Sequence, residues 1–334
     1  MALNRDVDTS SVVYRSIKKH EQKQVLDLLY SIFPCNPADF ERSYTAEASP
    51  DYQEGDKLGA WHNGRLVSTA HIRRLRIQSS EDDNEYLCGF ISNVATAEEY
   101  RKRGFSRHLL RLLIEKMEQS SEFDLSMLGT DVHNHYSALG WEQISIPMIV
   151  TIEWNDLNSI NNNNIKWCSA AEVLSTDRDL LFKIHSNTSR KYQYSRTNGT
   201  MFTHWAGWDW QHNEAIVHIC HDAEPGYVVI SKPNNIDDIC VYEWRAPNID
   251  VERKVLKAAA EKILQRHQTN IIRFHGLPQY IGIDELNQWA ANSIKIEKKG
   301  DMMIRNIRLS NDKLENIKTA YSDGSASCWL ADFF

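Results

Sequence analysis

Asn93-Val-Ala-Thr-Ala-Glu-Glu-Tyr-Arg-Lys-Arg-Gly-Phe-Ser106 is the stretch on which the reading of this chain turns. The apolar run Tyr86 to Val94 leads into it as a strand. A helix leads out: Phe105, Leu109, Leu112, Leu113 and Met117 recur at helical spacing between Phe105 and Gln119. A helix start carries unpaired backbone N–H groups and partial positive charge, so it is a ready anion site. Gly104 has no Cβ and lets a ligand approach the backbone. Arg101, Lys102 and Arg103 stand beside it. The combination suits a phosphate or pyrophosphate. Neither the GxxxxGK(S/T) loop nor the GxGxxG fingerprint occurs.

Downstream, Phe123 to Leu128 reads as a short buried strand, followed by Gly129-Thr-Asp-Val-His-Asn-His-Tyr136-Ser-Ala-Leu-Gly140-Trp141. Upstream, Val12 to Ile17 reads as a strand and His20 to Phe33 as a helix. Lys57 to Trp61 and Arg65 to Ile77 are strands joined at Asn63-Gly64, a hairpin signal. Trp141 to Trp154 closes this half as a long strand.

Two of these segments carry a family resemblance. Arg101-Lys-Arg-Gly104-Phe-Ser106 resembles the acetyl-coenzyme A loop of the GCN5-related N-acetyltransferases (GNAT), which reads (R/Q)xxGx(G/A) after a strand. Serine replaces the final small residue, and its hydroxyl could add a phosphate contact. Tyr136 with Gly140-Trp141 resembles the second signature, YxxxG(F/Y/W). The resemblance is specific over about residues 57–145. It implies that Arg101, Lys102, Arg103, Gly104, Phe105, Ser106 and Arg107 bind the phosphates of acetyl-coenzyme A as cosubstrate. Val94, Ala95 and Thr96 would hold the pantetheine arm, through the amides of Val94 and Thr96. A backbone N–H near Asn93 would stabilise the oxyanion, and Tyr136 would protonate the departing thiolate.

Asn155 to Asn164 is asparagine-rich and reads as a linker. Beyond it the order of elements repeats: a helix at Asp177 to Ser189, strands at Ala215 to Cys220, Gly226 to Ile230 and Ile239 to Arg245, and a helix at Val251 to Gln265. A strand at Ile271 to Phe274, a helix at Ile283 to Asn292 and a strand at Asp301 to Ile307 follow. No (R/Q)xxGx(G/A) loop precedes the Val251 helix; Asp250 and Glu252 stand where a phosphate would need cations. The expected fold is α/β (α+β), with two GNAT-like mixed-sheet domains in tandem, the second degenerate. The expected limits are a catalytic domain over 1–154, a linker over 155–165, a GNAT-like domain over 166–310, and a tail over 311–334 docking toward the active site. The arrangement resembles the enhanced-intracellular-survival acetyltransferases and the fungal lysine acetyltransferases. The first group implies a catalytic role for a C-terminal carboxylate, here that of Phe334. The aromatic ending Trp329 to Phe334 suits a docked tail.

For the base, Asp131, His133, His135 and His71 are candidates, and each residue type is more often structural or exposed. His133 and His135 alone do not make a metal site, so no metal is expected. Trp205, Trp208 and Trp210 read as core or as an aromatic lining for a cation. A hydrophobic content of 42% with 25% charge fits a globular protein, and no apolar run of ~18 residues is available to span a membrane. A net charge of -7 argues against nucleic-acid binding. The six cysteines show no paired spacing, and with the polar N-terminus they suggest a cytoplasmic protein. The expectation is an acetyl-coenzyme A-dependent N-acetyltransferase for a small-molecule amine such as an amino acid, a polyamine or an amine-bearing metabolite. The alternatives are acyl-coenzyme A thioester chemistry without an amine (decarboxylation or S-acyl transfer) and a non-catalytic acetyl-coenzyme A-binding module.

Overall fold

The computed structural model describes residues 11–33, 40–41, 51–82, 84–155, 165–188, 190–196, 198–231, 239–292 and 294–326. The fold is mixed α/β, and the chain divides into two compact units that interleave in sequence. The first comprises residues 1–75, 86–143 and 303–310. The second comprises 76–85, 144–302 and 311–334.

The first unit begins with β1 (Val12–Ser16) and helix α1 (Gln22–Ile32). The hairpin β2 (Lys57–His62) and β3 (Arg65–Gln78) turns at Asn63 and Gly64, both left-handed at φ 50° and 77°. Two consecutive left-handed residues match the twist of the strands they join. Next come β4 (Glu85–Thr96), helix α2 (Phe105–Gln119), β5 (Leu125–Gly129) and the short helix α3 (His133–Ser137). β4 and β5 run parallel, as a strand–helix–strand crossover requires. Phe105, Leu109, Leu113 and Met117 bury one stripe of α2 with Ala70, Ile72 and Ile91 of the sheet. Val25 and Leu29 of α1 cluster with Leu66 and Ala95.

The strand following α3 departs from expectation. Trp141 to Trp154 does form a strand, β6 (Glu142–Glu153), but from Ile144 it belongs to the second unit. The neighbour of β5 is instead β13 (Lys295–Asn306), whose Met303 lies in the core beneath α2. Arg305 and Arg308 secure this late segment in the first unit. Arg305 donates to the Leu139 carbonyl at 2.5 Å and to Glu118 at 2.8 Å, and Arg308 pairs with Asp124 at 2.8 Å.

In the second unit β7 (Cys168–Ser169), helices α4 (Ala170–Thr176) and α5 (Arg178–Asn187) and β8 (Gln193–Tyr194) come first. Helix α6 (Gly199–Phe202) runs through a π turn at Thr203–Gly207 into α7 (Trp208–His212). β9 (Ile216–Cys220), β10 (Gly226–Ile230), β11 (Val241–Arg245), helix α8 (Ile249–His267) and β12 (Ile271–His275) follow. β11 and β12 run parallel across α8, and β12 pairs antiparallel with β6 from Ile271↔Glu153 to His275↔Ile149. Helices α9 (Ile283–Trp289) and α10 (Asn311–Asp323) complete the unit. Residues 311–323, expected as the start of a tail, are therefore helical, and Leu314, Ile317, Ala320 and Tyr321 bury one stripe. Trp205 and Trp210 are buried, and Trp210 packs edge-on to Phe202 and Tyr227. This is core packing. The described cysteines Cys88, Cys168, Cys220 and Cys240 are free thiols; Cys35 and Cys328 lie outside the described residues.

Candidate active site

Leu87 and Ile91, an even number of residues apart on β4, both pack into the core beneath α2. Val94 packs against that same core, and Ala95 joins the α1 cluster. Same-face residues in a strand are separated by an even number, so the three-residue step from Ile91 to Val94 marks one extra residue, a bulge. Asn93 takes up the left-handed conformation there at φ 53°. Asparagine is among the few residues that adopt it readily. The register between β4 and β5 ends just before, at Phe90↔Met127. The bulge thus stands where the two parallel strands part. Ser68 Oγ anchors the strand beyond it, donating to the Ala95 carbonyl and lying 2.8 Å from Thr96 Oγ1.

The loop after β4 is held open by its own arginines. Arg101 Nε donates to the Thr96 carbonyl at 3.3 Å, and Arg103 donates to the Glu99 carbonyl at 2.9 Å across the Tyr100 ring. Lys102 and Arg107 make no side-chain hydrogen bond or ion pair among the described residues and remain available to an anion. Lys102 and Gly104 are both left-handed, at φ 63° and 84°. Gly104 is the N-cap of α2, and no side chain caps the helix. A Cβ on Gly104 would meet no atom within 4 Å, because the residue opens on a cavity of about 410 Å³. Thr96, Tyr100, Arg101, Lys102, Gly104, Phe105, Ser106, Arg107 and His135 line it. The orphan N–H groups of the helix start and the free cations therefore converge on one space.

Tyr136 sits on α3, buried, edge-on to Trp141 and to His135. Its hydroxyl makes no hydrogen bond among the described residues. Burial, and then the Asp131 charge, push its pKa up to about 12, so the phenol keeps its proton at any physiological pH. His71 is fully buried on the same face as Ser92, whose Oγ lies 3.5 Å from His71 Nδ1. Burial, with Lys57 and Arg73 adding to it, holds its pKa well below the ordinary imidazole value. A neighbourhood that opposes protonation makes His71 a poor base. Asp131 is exposed, and His133 Nε2 lies 3.4 Å from Gln143 Nε2. Phe334 and the rest of 327–334 lie outside the described residues. No group of three or more His, Cys, Asp or Glu side chains able to hold a metal occurs among the described residues.

The sequence pointed to Asn93–Thr96, the Arg101–Arg107 loop and Tyr136. The structure brings the loop, Thr96 and the α3 residue His135 to one cavity. His135 as a cavity-lining residue was not legible from the sequence, since nothing in its spacing relates it to Ser106.

Residues 13–144 match the family model described as the acetyltransferase (GNAT) domain. The chain carries a GNAT acetyltransferase domain. It is an acyltransferase, and the GNAT family typically uses acetyl-coenzyme A. No curated protein matches the chain. Among solved structures, a probable N-acyltransferase of Enterococcus faecalis V583 is similar at 15% identity and a TM-score of 0.67, over 89% of this chain and 72% of that one. A GCN5-related N-acetyltransferase from Kribbella flavida is similar at 17% and 0.66, over 90% and 73%. Eis1 from Mycobacterium abscessus is similar at 15% and 0.65, over 89% and 74%. At these identities the likeness concerns the fold, and it extends well beyond the GNAT domain into the rest of the chain. No helix among the described residues is long and apolar enough to cross a membrane.

Proposed function

We propose that this GNAT protein transfers the acetyl group of acetyl-coenzyme A directly to the amine of a small molecule, as a cytoplasmic enzyme. The observation that carries the reading is the uncapped start of α2, where left-handed Gly104 and the cations Lys102 and Arg107 face an open cavity. The amides and cations of residues 101–107 bind the pyrophosphate. Val94, Ala95 and Thr96, beyond the bulge, pair with the pantetheine arm. Placement of the thioester beside the amine supplies much of the rate, since a held pair reacts as one molecule.

The amine nitrogen attacks the thioester carbonyl carbon, and a C–N bond forms. Negative charge develops on the carbonyl oxygen, and a backbone N–H at the Asn93–Val94 bulge donates to it. The C–S bond then breaks. Tyr136 gives its proton to the thiolate and recovers one from water; the proton lost by the amine passes to water. The second unit, which lacks the (R/Q)xxGx(G/A) loop, binds no coenzyme.

Thiol release from acetyl-coenzyme A across a panel of amino acids, polyamines and other small amines tests the reading. Amine-dependent release with one acetylated product per thiol is expected. Amine-independent release would identify thioester chemistry of another kind. Binding without release would identify a non-catalytic module.

A further inference from the structure

On the α3 side of the cavity stands a group that the phosphate loop does not supply. His135 lines the same space as Lys102, Gly104 and Arg107. Its Nε2 lies 3.5 Å from Ser106 Oγ, a contact long enough to leave both polar atoms available to a third. The ring of Tyr136 stands edge-on to the imidazole, with centroids 5.0 Å apart. Ser106 is also where this loop departs from the Gly or Ala of the family pattern.

We propose that His135 and the Ser106 hydroxyl together hydrogen-bond the pyrophosphate of acetyl-coenzyme A, so that cosubstrate binding draws a proton onto the imidazole and tightens as the pH falls. This rests on the reading that the Arg101–Arg107 loop holds that pyrophosphate. The charged and titratable groups that share the cavity with the ring or touch it are Arg107 of α2, Tyr100, Arg101 and Lys102 of the loop, and Tyr136 on its own helix. Burial first, and then Arg107, lower the His135 pKa in the unliganded protein. An anion within hydrogen-bond reach acts in the opposite sense and favours the imidazolium. Protonation is thus gained on binding, and affinity rises as pH drops through the range between the free and bound values.

The test is calorimetric titration of the full chain with acetyl-coenzyme A and with its 3′-dephospho form, at pH 6, 7 and 8, in buffers of differing ionisation enthalpy. The dephospho ligand removes the one phosphate that itself titrates near pH 6. With both ligands, the wild type should take up protons and bind about five- to tenfold more tightly at pH 6 than at pH 8. His135→Gln should lose the pH dependence, binding dephospho-acetyl-coenzyme A with the same affinity at pH 6 and pH 8. Proton uptake confined to the ligand with the 3′-phosphate, or an unchanged pH slope in His135→Gln, overturns the proposal. An NMR titration of the His135 imidazole in the wild type needs no variant: its pKa should rise on saturation with the dephospho ligand, and an unmoved pKa overturns the proposal equally. Gly104→Leu separates the layers. If that variant binds normally, the loop reading itself fails. If it loses binding while His135→Gln behaves as wild type, only the histidine's role fails.

Discussion

Helix α2 leaves β4 with a left-handed glycine, no side-chain cap and cations in its approach. Helix α8 leaves β11 in the same order of elements, and its first turn is closed by the protein itself. Asn248 Oδ1 accepts the Val251 N–H at 3.1 Å, and Asp250 pairs with Arg253. Glu252 is buried, and its carboxylate accepts the N–H groups of Gln279, Tyr280 and Ile281 at 2.7–3.0 Å and the Trp244 indole N–H at 3.0 Å. A carboxylate of the chain thus already stands in the first turn of α8, held by four donors. The comparison teaches that a strand–helix junction is an anion site only while the chain withholds its own cap and its own anion. The first junction has no side-chain cap and leaves its helix start open; the second has a cap, which adds stability.

That contrast predicts opposite consequences for equivalent changes. The largest effect should follow from Gly104→Leu. A left-handed non-glycine residue costs about 1–2 kcal/mol, and a side chain in the cavity removes charge-assisted contacts worth about 1.5–3 kcal/mol each. Acetyl-coenzyme A affinity should fall at least about a hundredfold, while the thermal midpoint falls by only a few degrees. Glu252→Ala should do the reverse. It leaves the buried donors of Ile281 and Trp244 unpaired and releases the part-buried N–H groups of Gln279 and Tyr280, so it should destabilise the protein by about 2 kcal/mol or more in denaturant unfolding and leave the cosubstrate affinity of the folded protein unchanged.

Tyr136→Phe keeps the ring's packing and removes the proton donor. Turnover should fall by about a hundredfold, with little change in cosubstrate affinity. Because the Tyr136 pKa is pushed up to about 12, the phenol remains protonated through pH 10. The wild-type rate should therefore rise with pH as the acceptor ammonium loses its proton, with no alkaline fall from Tyr136 in that range. An alkaline limb near pH 9 that Tyr136→Phe abolishes would contradict the burial argument. The smallest effect belongs to the cap: Asn248→Ala should cost about 1 kcal/mol of stability and nothing in binding.

Much of this contrast was written in the sequence. Glycine after three cations, an amphipathic run and the Tyr136–Gly140–Trp141 signature locate the first junction, and Asp250 and Glu252 mark the second as acidic. Local patterns also give β10 and α8 nearly to the residue. What escaped depends on partners distant in the chain. The bulge at Asn93 shows only through which core Ile91, Val94 and Ala95 join. The placement of β6 beside β12, and of the end of β13 beside β5, is a pairing choice, and apolar alternation within a strand does not encode its neighbour. The donors that surround Glu252 come from residues 279–281, about thirty positions later. Helix α10 is legible in the helical spacing of Leu314, Ile317 and Tyr321, although the aromatic chain end that follows suggests a tail.

The central claim is that one junction of the two binds the cosubstrate. Calorimetric titration of the intact chain with acetyl-coenzyme A, for wild type and Gly104→Leu side by side, measures it most directly. One site per chain in the wild type, lost in Gly104→Leu while that variant stays folded by circular dichroism, is the predicted result. Two sites per chain, or one site of undiminished affinity in Gly104→Leu, would place the cosubstrate elsewhere and contradict the account.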